Sequence, residues 1–460
     1  MLCTQGLAEA ISRLKSSTSI KVVLAETPAS ICAANIIASI LHREMIRFEI
    51  CFGHAPDICE NTNDLCIVIG LNNTEYANSL LLSSRTNSAI RSRFECTCSV
   101  CEMYPCVLAY SLAKEANCMS EEAIWPMAIC FEFYRIFTNT GLMHEEHACE
   151  KENEQENNNH GHIPKRNKDG HVTDSINNTR QEAMCNGCTS LHADLVLEAE
   201  KKRLSTELDG IHYVRKPMIS FLNSTSLFCA LLNDIPFILA SKVYHKDKRS
   251  ESAKIHEYLA RKGISNEIAH EKYTNLSYEI RKLISMSFPE RMCFIRKIGH
   301  NTEVTSIESF FLVCYHLLKG SNIDAFLSMS CMNGLQMEES AALYHRLVSM
   351  YRECIANAKR IGRVFFFRIR VPRVLSSVSI GILIHVYGCY FEMFVAKRHR
   401  DAKGMVVMIE GCIEGKVAVC TDIQSVINKW KHLDRTTGYF VIDRNELSKL
   451  VDTLKADAVY

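Results

Sequence analysis

The sequence has no excess of charge of either sign. Lys and Arg total 53 against 52 Asp and Glu, which leaves a formal net charge of +1 over 460 residues. A protein that binds a polyanion over its whole surface carries a large positive excess. The balance therefore argues against that class and confines any nucleic-acid contact to a local basic groove.

Long apolar runs and a secretory leader are also missing. No run of about 18 apolar residues occurs, so no segment is expected to span a membrane. Residues 1–16 have an amphipathic helical pattern and lack a basic stretch followed by an apolar block. A signal peptide is therefore not expected.

Motifs for phosphate binding and hydrolysis are absent as well. We find no GxxxxGK[ST], no GxGxxG after the first predicted strand and no GxSxG. A two-metal phosphoesterase needs several Asp and His ligands at strand ends. Residues 1–143 contain only two aspartates, Asp57 and Asp64, and Glu26 is the sole acid at the end of the first strand. The sequence thus predicts no catalytic residue, no cofactor and no hydrolytic metal site.

Cysteine, by contrast, is abundant, with 22 residues. Most lie in apolar runs, where a reduced thiol behaves as a small hydrophobic group, so we expect core filling in a reducing compartment rather than a disulfide framework. The alternative is a structural zinc site, because Cys98/Cys101 and Cys185/Cys188 have CxxC spacing and His192 follows four residues later. Chance pairs of this spacing are expected in a chain so rich in cysteine.

The first half of the chain has an α/β pattern. In residues 1–143 a short β-rich run, a helical stretch and two further apolar strands follow one another, which predicts a parallel sheet covered on both faces. Residues 144–190 are polar and rich in Asn, Glu and His. They cannot bury enough apolar surface to offset their ordering entropy, so we expect a disordered insertion or linker.

The second half divides into two parts. Residues 191–360 carry helical spacing almost throughout, including a predicted helix at 304–319. Residues 361–460 predict a compact α+β domain with a mostly sequential sheet. Its expected strands include 379–387 and 390–396, and a helix is expected at 423–432.

Four arginines in the last part are candidates for nucleic-acid contact. Arg363, Arg368, Arg370 and Arg373 alternate with aromatic residues, a pattern that suits single-stranded nucleic acid because bases stack on aromatic rings beside a basic groove. The simpler interpretation is the alternation of charge along a half-exposed strand.

The order of elements resembles the cell division control protein 45 family, a degenerate branch of the RecJ and DHH phosphoesterases. This resemblance implies a DHH-like parallel-sheet lobe, a helical interdomain and a C-terminal α+β lobe of the DHHA1 type. The segments that carry it are 21–41, 63–70, 110–137, 226–233 with Lys242 and Tyr244, 258–264, 272–284, 343–361, 439–444 and 447–454.

The chain departs from the family pattern in three places. Both aspartates of the ancestral first metal motif are missing, with Glu26 and Ala29 nearby. The His-Asp of a Ser-Leu-His-Asp-Ser-Leu signature is replaced by Phe228-Cys229. The long acidic insertion of larger members is also absent. The chain resembles a shortened, diverged member whose metal site has been lost.

The resemblance implies a nuclear DNA replication factor without catalytic activity. Members join the hexameric minichromosome-maintenance ring and the GINS complex in the CMG helicase, which works with the DNA polymerase machinery, and weak single-strand binding is implied. Two alternatives remain open. One is an active RecJ-like single-strand exonuclease, and the other is a zinc-stabilised interaction protein built on the CxxC pairs.

Overall fold

The computed structural model describes most of the chain outside the polar insertion. The described residues are 2–17, 19–52, 65–70, 79–82, 104–138, 186–203, 210–217, 219–235, 237–238, 248–288, 290–298, 302–329, 334–361, 363–371, 383, 386–387, 391, 394–395, 404–411, 416–421 and 440–458. Within these ranges no helix combines the length and the hydropathy that a membrane span requires.

The described part of the chain contains both helices and strands. The helices are α1 (Leu2–Ser16), α2 (Pro28–Arg43), α3 (Tyr104–Glu115), α4 (Glu121–Thr138), α5 (Asn186–Arg203), α6 (Leu227–Leu232), α7 (Lys248–Arg261), α8 (Asn266–His270), α9 (Tyr278–Ser287), α10 (Ser306–Leu318), α11 (Asn322–Leu327), α12 (Gly334–Ala356) and α13 (Leu447–Ala458). The strands are β1 (Ser19–Leu24), β2 (Arg47–Phe52), β3 (Leu65–Ile69), β4 (Ser79–Leu82), β5 (Gly210–Pro217), β6 (Glu290–Ile298), β7 (Thr302–Thr305), β8 (Lys359–Ile361), β9 (Val364–Arg370), β10 (Gly404–Glu410), β11 (Lys416–Thr421) and β12 (Phe440–Asp443).

A parallel sheet organises the N-terminal part, as the sequence predicts. Its strands lie in the order β2-β1-β3-β4, and all three pairings are parallel. Every side chain of β3 is buried because helices cover the sheet. The crossover helix α2 begins where Thr27 caps the backbone N–H of Ser30 and Pro28 occupies the first turn, an arrangement that satisfies a helix N-terminus.

A second sheet interrupts the segment predicted to be helical. β5, β6 and β7 form an antiparallel sheet whose register joins Gly210 to Lys297, far apart in sequence. The predicted helix at 304–319 is shorter than expected, because Thr302–Thr305 is a strand and α10 starts at Ser306. A capping box between Thr305 and Glu308 fixes that boundary.

A small helical unit follows the expected periodicity. A serine precedes each of the helices α6, α8 and α9, and its hydroxyl accepts a backbone N–H three residues further on. These capping residues are Ser226, Ser265 and Ser277. Helix α7 is followed by Gly263 at φ +74°, where a left-handed residue ends a helix at low cost. The unit has its own apolar core.

The C-terminal sheet is sequential, as predicted. Its order is β12-β11-β10-β9-β8, and β9 and β10 run parallel while the other pairs are antiparallel. The strands predicted at 379–387 and 390–396 are wrong, because the described residues there are helical. Buried Leu383, Val386, Tyr387, Phe391 and Phe394 recur at intervals that fit one helix face. The helix predicted at 423–432 lies outside the described residues.

Cysteines fill the core where the structure describes them. Of the ten described cysteine side chains, eight are buried and none of the ten forms a disulfide. Helix α5 starts at Asn186, inside the last residues of the segment predicted as disordered, and residues 144–185 lie outside the described residues.

Candidate functional site

The crevice at the carboxyl ends of β1 and β3 is the natural ligand position of this fold. Strand order places β1 between β2 and β3, so the order of the strands reverses beside β1, and ligands of open α/β sheets bind at such a switch point. The backbone closes there through Ala25 N–H donating to Ile69 O at 3.0 Å. Side chains from Glu26, Thr27 and Ser30 surround the opening.

Small side chains fill the crevice. Thr27 Oγ1 donates to Ser30 Oγ at 2.8 Å. A Cβ on Gly70, which has φ +74°, would overlap Ser30 Oγ, so the buried hydroxyl stands against the turn that follows β3. Hydroxyl oxygens and one glycine leave little room for a ligand between the two strand ends.

The one acid of the described crevice is already engaged. Asn322 Nδ2, at the start of α11, donates to Glu26 Oε1 at 2.8 Å. Asn35 of α2 also donates to Phe326 O at 3.2 Å, so α11 is tied down beside the strand ends. In the described part of the chain no three His, Cys, Asp or Glu side chains are placed to hold a metal ion. Asp57 and Asp64 lie outside that part.

A cluster of arginines surrounds Glu410 on the C-terminal sheet. Arg368 Nε and Nη2 donate to Glu410 Oε1 and Oε2, both at 2.8 Å. Arg370 Nε lies 3.8 Å and Arg444 Nη2 3.7 Å from Glu410 Oε2. We call these four residues the Glu410 cluster. The carboxylate is 9% exposed, whereas the side chains of Arg370 and Arg444 are 75% and 63% exposed.

The structure describes three of the four arginines predicted to contact nucleic acid, and it brings two of them together. Arg368 and Arg370 project from one face of β9 toward the end of β10, where Glu410 pairs in register with Arg370. Arg363 is exposed just before β9, and Arg373 lies outside the described residues. Arg444 was missed because it arrives from the far end of the chain, after β12, and only sheet pairing brings it to the others.

The zinc candidates are not placed by the structure. Cys98, Cys101 and Cys185 lie outside the described residues, and Cys188 lies on α5 with its side chain undescribed. The ring of His192 stacks on Phe131 at 5.3 Å and meets Tyr213 edge-on at 5.3 Å. This histidine packs within an aromatic cluster, as a core histidine does.

A cysteine and a histidine meet where the family signature is replaced. Cys229 Sγ lies 3.6 Å from His345 Nδ1. Burial raises the pKa of the Cys229 thiol and lowers the pKa of His345 to about 4. Both groups are therefore neutral at pH 7, and the pair is not the thiolate and imidazolium that a cysteine nucleophile requires.

Comparison with solved structures identifies the fold. The chain is similar to CDC45 from Entamoeba histolytica, with a TM-score of 0.62, 11% identity and coverage of 99% of both chains. It also matches RecJ from Thermus thermophilus in complex with Mn²⁺, with a TM-score of 0.46, 9% identity and coverage of 99% of this chain and 54% of that one. Scans of family models and of curated proteins find no match. The chain therefore has the DHH-like α/β fold of CDC45, which confirms the predicted fold class.

Proposed function

We propose that this chain is a non-catalytic DNA replication factor of the CDC45 type, a scaffold that joins the minichromosome-maintenance hexamer to the GINS complex in the nucleus. The observation that carries the proposal is the fold match to CDC45 over 99% of both chains. The match extends over the whole of this chain and is not confined to one of its sheets.

The chemistry of the crevice supports the non-catalytic role. A two-metal phosphoesterase needs several anionic ligands that converge on the metals, while the described strand ends offer Glu26 alone, bonded to Asn322. Cys229 and His345, at the replaced signature, are held neutral by burial. Among the described side chains, the crevice therefore lacks a converging set of anionic ligands, and Cys229 and His345 do not form a thiolate–imidazolium pair.

The balanced charge of the chain fits a protein whose partners are proteins.

A tagged chain expressed in its own cells should co-purify with ring subunits and GINS subunits, which mass spectrometry identifies. Purification after nuclease treatment removes partners bridged by DNA. Recovery of neither complex would overturn the proposal, and DNA polymerase machinery is expected only as a secondary component.

Weak single-strand binding is assigned to the Glu410 cluster. Three guanidinium charges and one carboxylate leave a local charge of +2, and the two arginines that contact Glu410 only distantly are largely exposed. Phosphate oxygens accept bidentate hydrogen bonds from such groups. Arg363 and Arg373 belong to the same predicted interface.

The exonuclease alternative has its own test. Purified chain with Mn²⁺ and a labelled single strand should release no nucleotides under the proposal. Release that disappears in Glu26→Ala would establish a hydrolytic site and displace the scaffold role. The zinc alternative predicts one zinc per chain, lost in Cys185→Ser.

A further inference from the structure

Two histidines meet on the surface of the helical unit. His256 of α7 and His270 at the end of α8 face each other, with their Nε2 atoms 3.2 Å apart. Both rings lie against Phe228 of α6, with centroid distances of 4.7 Å to His256 and 4.4 Å to His270. One aromatic ring thus supports both imidazoles from the core side.

The backbone beneath the pair is well anchored. The residue before each histidine, Ile255 or Ala269, is fully buried in the core of the helical unit. Between the two helices, Gly263 adopts φ +74° and Ser265 caps α8 through the N–H of Ile268. The two imidazoles are therefore presented by fixed elements, and a ligand would not need to order them first.

The spacing of the two nitrogen atoms suits a transition metal. Two Zn–N bonds of about 2.0–2.1 Å at a tetrahedral angle place their nitrogens about 3.3 Å apart. The observed separation of 3.2 Å is close to that value, and it lies at the upper end of the range of about 2.7–3.2 Å for a hydrogen bond from an N–H donor. His270 is exposed, so water has access to the remaining ligand positions.

The surrounding charges do not oppose a cation. Arg261, one turn beyond His256 on α7, forms an ion pair with Glu257. Lys272, two residues after His270, is paired with Glu338 at 2.8 Å. Lys254, two residues before His256, lies on a different side of α7, because residues two apart on a helix do not face each other.

We infer that His256 and His270 form a two-histidine site for a divalent transition metal of the zinc class. No third His, Cys, Asp or Glu of the described residues is placed as a ligand, so water completes the coordination. The bound ion joins α7 to α8 across the short connection between them and clamps the helical unit. This site is independent of the proposed replication role.

The test is zinc titration of the full-length chain after removal of bound metal. ZnCl₂ binding followed by calorimetry should show a site that is at least about tenfold weaker in His270→Gln and in His256→Gln. His42→Gln is the matched control, because His42 is also an exposed helical histidine whose ring meets an aromatic side chain, Phe48. The control should bind zinc as the unaltered chain does.

X-ray absorption at the zinc edge separates this site from the cysteines. One zinc per chain with a nitrogen and oxygen shell at about 2.0–2.1 Å supports the inference, whereas sulfur ligands at about 2.3 Å point to thiolates. Equal zinc affinity in His270→Gln, a sulfur shell, or no binding at all would overturn it. The pair would then be only an imidazole–imidazole hydrogen bond.

Discussion

Replacing Glu410 with glutamine removes the one negative charge that holds three arginines together. The carboxylate accepts two hydrogen bonds of 2.8 Å from Arg368, and bonds to a charged group contribute about 1.5–3 kcal/mol each. Glutamine keeps one acceptor, and the Arg368 side chain, 44% exposed, regains some water. The free energy of unfolding should therefore fall by about 2–3 kcal/mol, below the 3–5 kcal/mol cost of breaking a fully buried pair.

Arg444 is a more exposed partner of Glu410, and its replacement should change stability much less. Arg444 is 63% exposed and lies 3.7 Å from Glu410, so Arg444→Gln should cost at most about 0.5 kcal/mol. Urea unfolding measures both changes, with an unchanged m-value as the sign that the compactness of the states is preserved. Glu446→Gln is the control, because Glu446 has only a 3.7 Å contact with Lys449 on the surface.

In Glu410→Gln, the affinity for single-stranded DNA should rise while the stability of the fold falls. Glu410→Gln raises the local charge of the cluster, so affinity for an oligonucleotide should increase and fall more steeply with salt. Arg444→Gln should weaken binding and reduce the salt slope by about 0.7 for one lost phosphate contact. Fluorescence anisotropy over a salt series measures both. Unchanged stability in Glu410→Gln, or a lower DNA affinity in that variant, would contradict the proposed role of the Glu410 cluster.

Two further predictions concern buried positions. Gly70→Ala should lower the free energy of unfolding by about 2–4 kcal/mol, because Gly70 has a positive φ and an added Cβ would overlap Ser30 Oγ. Adding Ser30→Ala in a double variant should recover part of that loss. Burial lowers the pKa of His345 from 6.5 to about 4, so the unfolded chain binds the extra proton and stability should fall as pH drops from 6.5 toward 4. Denaturant unfolding at pH 7 and pH 5 measures the free energy of unfolding. Its decline between these pH values should be smaller by about 2 kcal/mol in His345→Gln than in the unaltered chain. An equal decline in both would contradict the burial of this imidazole.

Elements with a strong local signal were predictable from the sequence. The run 65–69 is apolar at every position, and such a strand can only be buried on both faces. Thr27 and Pro28 mark the start of α2 by the ordinary rules for helix N-termini. The serines that cap α6, α8 and α9 and the glycine after α7, Gly263, are signals of the same local kind.

Features that depend on distant partners were not predictable. The segment 379–396 is rich in β-branched and aromatic residues, so its composition favoured strands, while packing makes its described residues helical. The pairing of β5 with β6 joins residues that are distant in the sequence, such as Gly210 and Lys297. Arg444 reaches the Glu410 cluster only through sheet pairing, and the contact of His256 with His270 needs two helices to meet.

Reconstitution of DNA unwinding is the decisive experiment for the proposed scaffold role. Purified minichromosome-maintenance ring, GINS complex and this chain are combined with ATP and a forked DNA substrate, and strand separation is followed over time. If this chain is a non-catalytic helicase scaffold, unwinding requires all three components and is retained with Glu26→Ala. Unwinding that is independent of this chain, or degradation of the single strand by the chain alone with Mn²⁺, would contradict it.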